Sequence, residues 1–431
     1  MKKFQFPSTF LWGTATAPTQ VDGGDPASDW AEFCKIPGKI LDGSTSETAC
    51  DHWNRYKDDF DLMKKMGNNA YRLGADWSRF EPEPGSFDLK ALEHFRGMLQ
   101  ALKKRKIKPL LTIHHFAVPA WWLARGGFEK ESNLVDFLRF AKWLIEHVGD
   151  LVDEYITINE PIVYSVIAYL DGRWPPGNPG PLAYFRAVQV QKNLLLAHFQ
   201  LYDMIHGIHA RKKFKTPVVS IAKHMRVMDP GDATSALDRG RQATADEFFN
   251  LSFCDSIQSG TMSGSLGKGE RVHDGRAWDF MGINYYSRDI IRFDLLAPHK
   301  AFVKVDIQEN SPRNDLNWEI YPEGLKRTLV RFSDRYGLAI RVTENGIADA
   351  SYSKRSQFLL DHIAAMQGAA AEGVRIDGYY HWSFMDNFEW AEGYTARFGL
   401  VEVDFKTMKR TPRASARLYS KIIKNRGVSG M

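Results

Sequence analysis

Residues 154–161 read EYITINEP, and this stretch is the starting point for predicting the fold. A short run rich in Ile, Tyr and Thr is typical of a buried β-strand, and Pro161 lacks the backbone donor that would extend it. The pattern therefore predicts that Glu160 lies at the C-terminal end of a strand. A single carboxylate at a strand end is as often a solvated or salt-bridged acid as a functional one. Whether Glu160 is functional therefore has to be judged from the rest of the fold.

Runs of the same kind recur along the chain and alternate with segments of helical periodicity. The strand-like runs are at 10–16, 69–76, 109–116, 154–161, 217–224, 278–286, 338–346 and 376–384. The helical segments are at 51–66, 88–105, 132–148, 182–212, 240–258, 322–336, 353–372 and 412–424, the first of them with Gly67 as its predicted C-cap.

Eight strand-then-helix units imply parallel strands joined by crossovers, and the closed arrangement of such units is the (β/α)8 TIM barrel of the α/β class. We therefore expect one barrel domain over residues 1–431. An open, doubly wound sheet is the alternative, but the first strand lacks a Gly-rich phosphate-binding turn.

The composition narrows the classes of partner. The chain has 431 residues, of which 44% are hydrophobic and 25% charged, and a formal net charge of +5. Two basic runs, at 103–108 and 211–215, are short, and we interpret them as solvated helix ends rather than a nucleic-acid site. Three cysteines without metal-type spacing argue against a disulfide framework. No apolar run is long enough for a secretory signal or a membrane span, so we expect a cytoplasmic protein with no membrane partner.

Polar and aromatic residues follow the predicted strands, where the active sites of such barrels lie. Each of them alone could be a capped or salt-bridged surface residue, but their convergence at one mouth favours a functional site. They are Gln20, Arg72, His115, Asn159, Glu160, Asn284, Tyr286, Glu344, Trp382, Glu389 and Trp390.

Two of these residues are carboxylates, Glu160 after the fourth strand and Glu344 after the seventh. Cleavage of a glycosidic bond needs such a pair, one group to protonate the leaving oxygen and one to stabilise or capture the oxocarbenium-like carbon. Arg72 would keep Glu344 ionised, and Tyr286 could donate a hydrogen bond to the same group. Asn159 is suited to holding a sugar 2-hydroxyl.

The motifs that carry these residues resemble those of glycoside hydrolase family 1, the β-glucosidase family. They run nearly end to end, in the order FLWGTAT with Gln20, HWNRYKDDFDLMKKMG, AYRLGADWSR, TINEP, GINYY, WEIYPEGL, VTENG, HWSFMDNFEWAEGY and RFGL.

The resemblance implies a retaining β-glycosidase, most simply a β-glucosidase with β-galactosidase or β-fucosidase side activity. It implies that Glu160 is the general acid/base and Glu344 the nucleophile. It also implies that the terminal sugar of a small-molecule β-glycoside or oligosaccharide is bound by Gln20, His115, Asn159, Glu389 and Trp390, over a platform formed by Trp382. We expect Asn284 to assist there and Trp318 to lie near the aglycone.

The sequence departs from the family pattern after the third strand. The family commonly has His-Trp-Asp-Leu-Pro there, whereas this chain has HHFAVP, with Phe116 and Ala117 in place of Trp and Asp. The lost indole donor leaves the preference around the sugar 3-hydroxyl open.

Alternative functions share parts of this pattern. A metal-dependent hydrolase would use histidine clusters, but no His-x-His follows the first strand, and we expect neither metal nor organic cofactor. A sugar-binding protein without catalysis would usually lack one carboxylate. A transglycosylase would use the same residues, and a 6-phospho-β-glucosidase would replace Glu389 and add a nearby Lys; we interpret Arg397 as structural. The sequence leaves a homo-oligomer open.

Overall fold

A computed structural model describes residues 4–297 and 301–428, and the predicted alternation of strands and helices is present there. The strands are β1 (Leu11–Ala15), β2 (Ala70–Gly74), β3 (Lys108–His114), β4 (Glu154–Asn159), β5 (Val218–Pro230), β6 (Met281–Phe293), β7 (Val303–Asp306), β8 (Ile340–Asn345), β9 (Ile376–Trp382), β10 (Val401–Asp404) and β11 (Lys409–Pro412).

The α-helices cover the barrel and its connections. They are α1 (Pro18–Val21), α2 (Asp29–Phe33), α3 (His52–Met66), α4 (Trp77–Phe80), α5 (Leu89–Lys104), α6 (Ala120–Ala124), α7 (Leu134–Val148), α8 (Pro161–Ser165), α9 (Ala183–Lys212), α10 (Ala236–Asp246), α11 (Ser252–Ser259), α12 (Pro322–Tyr336), α13 (Arg355–Ala371) and α14 (Ala414–Asn425). Short π-helical segments follow α8 and join α10 to α11, at Val166–Leu170 and Glu247–Leu251.

Parallel pairing closes eight of the described strands into a barrel. The order around it is β5, β4, β3, β2, β1, β9, β8 and β6, and β6 pairs with β5 to complete the ring. The prediction of a (β/α)8 barrel is therefore confirmed. The strands are lined by buried apolar side chains such as Leu110, Ile156, Ile283 and Val342, which form its packed core.

Helix α3 shows how the sequence specifies the outer layer. Tyr56, Phe60, Met63 and Met66 are buried against the barrel at helical spacing. Gly67 adopts a left-handed conformation with φ 93°, and its N–H donates to the carbonyl oxygens of Lys64 and Met63, so the predicted C-cap is confirmed.

The structure also differs from the predicted elements. Strands β5 and β6 extend well past their predicted ends at 224 and 286, and the end of β6 pairs antiparallel with β7. The helix predicted at 240–258 is divided into α10, a π-helical turn and α11. Strands β10 and β11 form a separate hairpin.

Cys34, Cys50 and Cys254 are all buried and unpaired. None of the helices in the described ranges is both long and apolar enough to cross a membrane.

A buried ion-pair cluster lies at the end of the barrel where the strands begin. Glu154, the first residue of β4, is buried, and its Oε2 lies 2.9 Å from Arg341 Nη1 on β8. Lys108, the first residue of β3, contacts Glu154 Oε1. Removing one partner of a buried pair leaves the other charges uncompensated.

We expect Glu154→Ala to lower the free energy of unfolding by about 3 kcal/mol, as is typical when a buried pair loses one partner. Denaturant unfolding followed by circular dichroism measures this. Glu32→Ala is the matched control, because it removes a carboxylate whose partner, Lys35, is exposed, and it should have little effect. Equal effects of the two substitutions would contradict the importance of the cluster.

Candidate active site

The strand register brings the candidate residues to one level of the barrel. Ala15 on β1 is the register partner of both Arg72 on β2 and Trp382 on β9. Asn284 on β6 is the register partner of His224 on β5 and of Glu344 on β8. These residues therefore meet at the C-terminal mouth, around a cavity of about 630 Å³.

Most of the predicted site residues line this cavity directly. The lining set includes His115, Asn159, Glu160, Tyr286, Trp318, Glu344, Trp382, Glu389 and Trp390. The other three, Gln20, Arg72 and Asn284, are fully buried and hydrogen-bond to lining residues from behind.

Glu344 is held by a cation and a phenol. Arg72 Nη1 donates to its Oε1, and Tyr286 Oη donates to its Oε2 at 2.6 Å. Burial raises the pKa of the Glu344 carboxyl to about 7, although Arg72 and Tyr286 both oppose that rise, and the nearby Glu160 adds to it. The side chain is therefore poised to be ionised from about neutral pH upward.

Glu160 has different partners. Its backbone is left-handed, with φ 43°, at the junction where β4 ends and Pro161 begins α8, and its N–H donates to the carbonyl oxygen of Ala222 at 2.7 Å. Asn284 Nδ2 donates to Glu160 Oε1 at 2.7 Å, and His224 Nδ1 lies 3.5 Å from the same oxygen. The two carboxylates thus differ in the charge of their immediate neighbours.

Asn159 connects the two carboxylates. Its Oδ1 accepts from Arg72 Nη2 at 2.7 Å and from Asn284 Nδ2 at 3.1 Å, and its own amide donates to His115 Nε2 at 3.0 Å. Burial, followed by the charge of Arg72, lowers the pKa of His115 well below its ordinary value, so the ring is neutral. A neutral imidazole that accepts at Nε2 carries its proton on Nδ1, and in the described part of the chain that atom has no partner.

A third buried carboxylate lies at another side of the mouth. Gln20, on the short helix α1 that follows β1, donates from Nε2 to Glu389 Oε2 at 3.0 Å and to Asn387 Oδ1 at 2.9 Å. Burial raises the pKa of Glu389 to about 8, and Gln20 only partly offsets it. In its ionised form such a group accepts hydrogen bonds from several hydroxyl groups of one ligand, and in its neutral form it also donates one.

Aromatic rings form much of the remaining cavity wall. The His115 ring lies 5.9 Å from Trp382 and 6.1 Å from Trp390, measured between ring centroids. Phe116, which replaces the family's Trp, packs against Trp174 at 4.7 Å and Trp390 at 5.3 Å. The position is therefore filled by an apolar ring in an aromatic cluster, without a hydrogen-bond donor.

The outer part of the cavity carries a group of apolar side chains, although charged residues such as Arg226 and Asp289 also line the cavity. Met228 and Ile291, on the extensions of β5 and β6, lie several residues beyond the level of His224 and Asn284 and therefore farther out along the strands. Other apolar residues that line the cavity are Val163, Ile167, Leu170, Phe248 and Val303. We call these seven residues the apolar wall.

Two site residues were not found from the sequence. His224 ends the predicted strand 217–224, so its position offered a signal that the sequence analysis did not use. Trp174 gave no such signal, because it lies in the irregular segment between the π-helical turn after α8 and α9. Among the described residues, no group of three or more His, Cys, Asp or Glu is arranged to hold a metal ion.

Comparisons with known proteins agree with this geometry. The sequence model described as Glycosyl hydrolase family 1 matches residues 2–428. Beta-glucosidase A of Thermotoga maritima is 33% identical over 453 aligned residues, which cover 98% of this chain and 99% of the relative.

Solved structures of related glycosidases also resemble this chain in fold and in sequence. A beta-glycosidase from Pyrococcus horikoshii is 36% identical, with a TM-score of 0.90 over 99% of this chain and 96% of that one. The beta-glucosidase from Thermotoga maritima in complex with galacto-hydroximolactam is 32% identical, with a TM-score of 0.88 over 98% of this chain and 99% of that one.

We expect Arg72→Met to raise the pKa of Glu344 further, because it removes the cation that opposes the effect of burial. If Glu344 acts in its ionised form, the acid limb of the pH profile must move to higher pH. The measurement is the specificity constant for nitrophenyl β-glucoside as a function of pH. Arg72→Lys keeps the charge and should shift the limb less, whereas an unmoved limb in Arg72→Met would contradict this electrostatic role.

Proposed function

The chain belongs to glycosyl hydrolase family 1, and from that premise we propose how its residues divide the work of cleaving a β-glycosidic bond. The protein is a glycoside hydrolase of the retaining β-glycosidase type. In our proposal Glu344 is the nucleophile and Glu160 the general acid/base. The two act in a double displacement at one anomeric carbon.

The observation that carries this division is the different surroundings of the two carboxylates. Glu344 accepts from a guanidinium and a phenol, which favour an anion. Glu160 accepts from the neutral amide of Asn284, and among the described residues no permanently charged group is hydrogen-bonded to it. An anionic nucleophile and a carboxyl that exchanges a proton need these two kinds of environment.

In the first step, an oxygen of Glu344 attacks the anomeric carbon while the glycosidic bond breaks. Glu160 transfers its proton to the departing oxygen, so the aglycone leaves as an alcohol and a covalent glycosyl-enzyme remains. Esterification removes the negative charge of Glu344, and its repulsion of an ionised Glu160 is lost.

In the second step, water attacks the same carbon from the face that the aglycone left. The ionised Glu160 takes a proton from that water, the bond to Glu344 breaks, and the product keeps the β configuration. Both carboxyl groups return to their starting protonation states. An alcohol in place of water would give transglycosylation through the same residues.

The terminal sugar is bound, in this proposal, by the buried polar groups around the mouth. Asn159 holds the 2-hydroxyl, the Nδ1–H of His115 donates to a sugar oxygen, and Glu389 and Gln20 hold the hydroxyls at the far end of the ring. Trp382 is the platform under the sugar and Trp390 excludes water beside it. The complex of the Thermotoga maritima relative with galacto-hydroximolactam supports galactosides beside glucosides as substrates.

The aglycone would occupy the outer cavity, between Trp318 and the apolar wall. These side chains offer contact area rather than directed hydrogen bonds, so they favour a leaving group with an apolar face or chain. We infer that residues 1–431 act as one catalytic domain on small-molecule glycosides in the cytoplasm.

The two carboxylates can be separated by azide rescue. Glu344→Gly should abolish hydrolysis of nitrophenyl β-glucoside, and azide, entering from the vacated face, should give the α-glycosyl azide. Glu160→Ala should lose about 10²-fold or more with poor leaving groups, the contribution of general acid catalysis, and azide should give the β-glycosyl azide. NMR of the products distinguishes them, and exchanged configurations would reverse the assignment.

Unphosphorylated sugars should be preferred over 6-phosphates. Glu389 is a buried acid, and Arg397, the basic residue of the following segment, instead lies 3.8 Å from Asp386 and packs over the Phe405 ring. A phosphate there would lose its hydration, and Arg397 is already engaged and does not pair with it.

We expect the specificity constant for nitrophenyl β-glucoside to exceed that of its 6-phosphate by about 100-fold or more, since burying a phosphate dianion without a paired cation costs far more than burying a neutral 6-hydroxyl. Glu389→Ser should narrow the difference, mainly by weakening the neutral substrate. A wild-type preference for the phosphorylated compound would refute the assignment.

A further inference from the structure

His224 is a buried site residue to which the double displacement assigns no task. It lies on β5, in register with Asn284 on β6, and its ring packs against Phe249 and Tyr286 at centroid distances of 5.6 and 5.5 Å. The ring lines the cavity together with Glu160. Its position is therefore set by the barrel itself and not by a loop.

His224 and Asn284 approach the same oxygen of Glu160. Asn284 Nδ2 donates to Oε1 at 2.7 Å, and the orientation of that amide is fixed because Thr343 Oγ1 donates to Asn284 Oδ1 at 2.7 Å. His224 Nδ1 lies 3.5 Å from Oε1, a distance typical of catalytic contacts that tighten only when substrate binds. No recorded hydrogen bond within the described ranges reaches Oε2 of Glu160.

The surroundings of His224 favour a neutral ring. Burial lowers its pKa, and the positive charges of Arg226 and Lys223 on the same strand act in the same direction, while Glu160 opposes them. Burial raises the pKa of the Glu160 carboxyl, but the charge of a protonated His224, hydrogen bonds from His224 and Asn284, and the charge of Arg72 together lower it below its ordinary value. A protonated His224 would therefore leave Glu160 ionised and unable to act as an acid.

We propose that His224 is a positioning residue for the general acid: the neutral ring donates its Nδ1–H to Glu160 Oε1 beside Asn284. With two donors on Oε1, the acidic proton of Glu160 resides on Oε2, the oxygen that is left to face the glycosidic oxygen. This inference rests on the proposed role of Glu160.

The other ring nitrogen fits the same tautomer. When Nδ1 carries the proton, Nε2 is an acceptor. His224 Nε2 is buried and has no partner among the residues that the structure describes. It is available to a hydroxyl group of a molecule bound in the cavity.

The test compares His224→Phe with His224→Asn in the full-length enzyme. Phe keeps an aromatic ring against Phe249 and Tyr286 but removes the donor, whereas the amide of Asn restores a donor near the position of Nδ1. Specificity constants are measured for aryl β-glucosides with leaving groups of decreasing acidity, because this constant reports on the first step.

We expect His224→Phe to lose about tenfold or more with phenyl β-glucoside, part of the 10²–10⁴-fold that general acid catalysis contributes. It should lose less than about threefold with the 2,4-dinitrophenyl compound, whose leaving group needs no proton. His224→Asn should restore most of the activity on the phenyl compound.

Three outcomes would overturn the proposal. An equal loss for all leaving groups indicates a structural role only, and no loss indicates no role. A loss that depends on the leaving group but is not restored by Asn excludes donation from the Nδ1 position. Glu160→Ala is measured beside these variants: if it shows no dependence on the leaving group, the assignment of the acid itself has failed, whatever the His224 variants show.

Discussion

One buried guanidinium organises the mouth of this barrel. Arg72 projects from β2 and donates to Thr112 on β3, to Asn159 on β4 and to Glu344 on β8, so it connects the ends of four strands. Its charge also compensates a carboxylate that burial would otherwise hold neutral. The geometry of the site and the ionisation of Glu344, the proposed nucleophile, therefore depend on the same side chain.

The site gathers charges that a folded protein otherwise avoids. Glu160, Glu344 and Glu389 are all buried at one mouth, and each raises the free energy of ionising its neighbours. Aromatic rings pack closely around these carboxylates, with His115 against Trp382 and Trp390. Burying these carboxylates costs free energy of folding, which the apolar packing of the barrel has to offset.

The sequence predicts the barrel strands and outer helices closely, because buried strands and amphipathic helices differ in period. It does not predict the extensions of β5 and β6, whose polar residues resemble a loop. In the structure those residues pair across the two strands, Arg226 with Asp289 and Arg288 with Asp229. The candidate carboxylates follow from their positions at strand ends, whereas the contact between His224 and Glu160 depends on register, which local patterns do not encode.

The extensions of β5 and β6 lie apart from the carboxylates, so the outer cavity and the carboxylate site can change independently. The carboxylates and their donors lie at the level of the closed ring, whereas Met228, Ile291 and Val303 lie beyond it. With the aglycone in the outer cavity, as proposed, substitutions in the extensions can alter which leaving groups are accepted while Glu160 and Glu344 keep their hydrogen-bond partners. A lineage carrying this fold can diversify its substrates while its chemistry is inherited unchanged, and directed evolution for new aglycones can be confined to those segments.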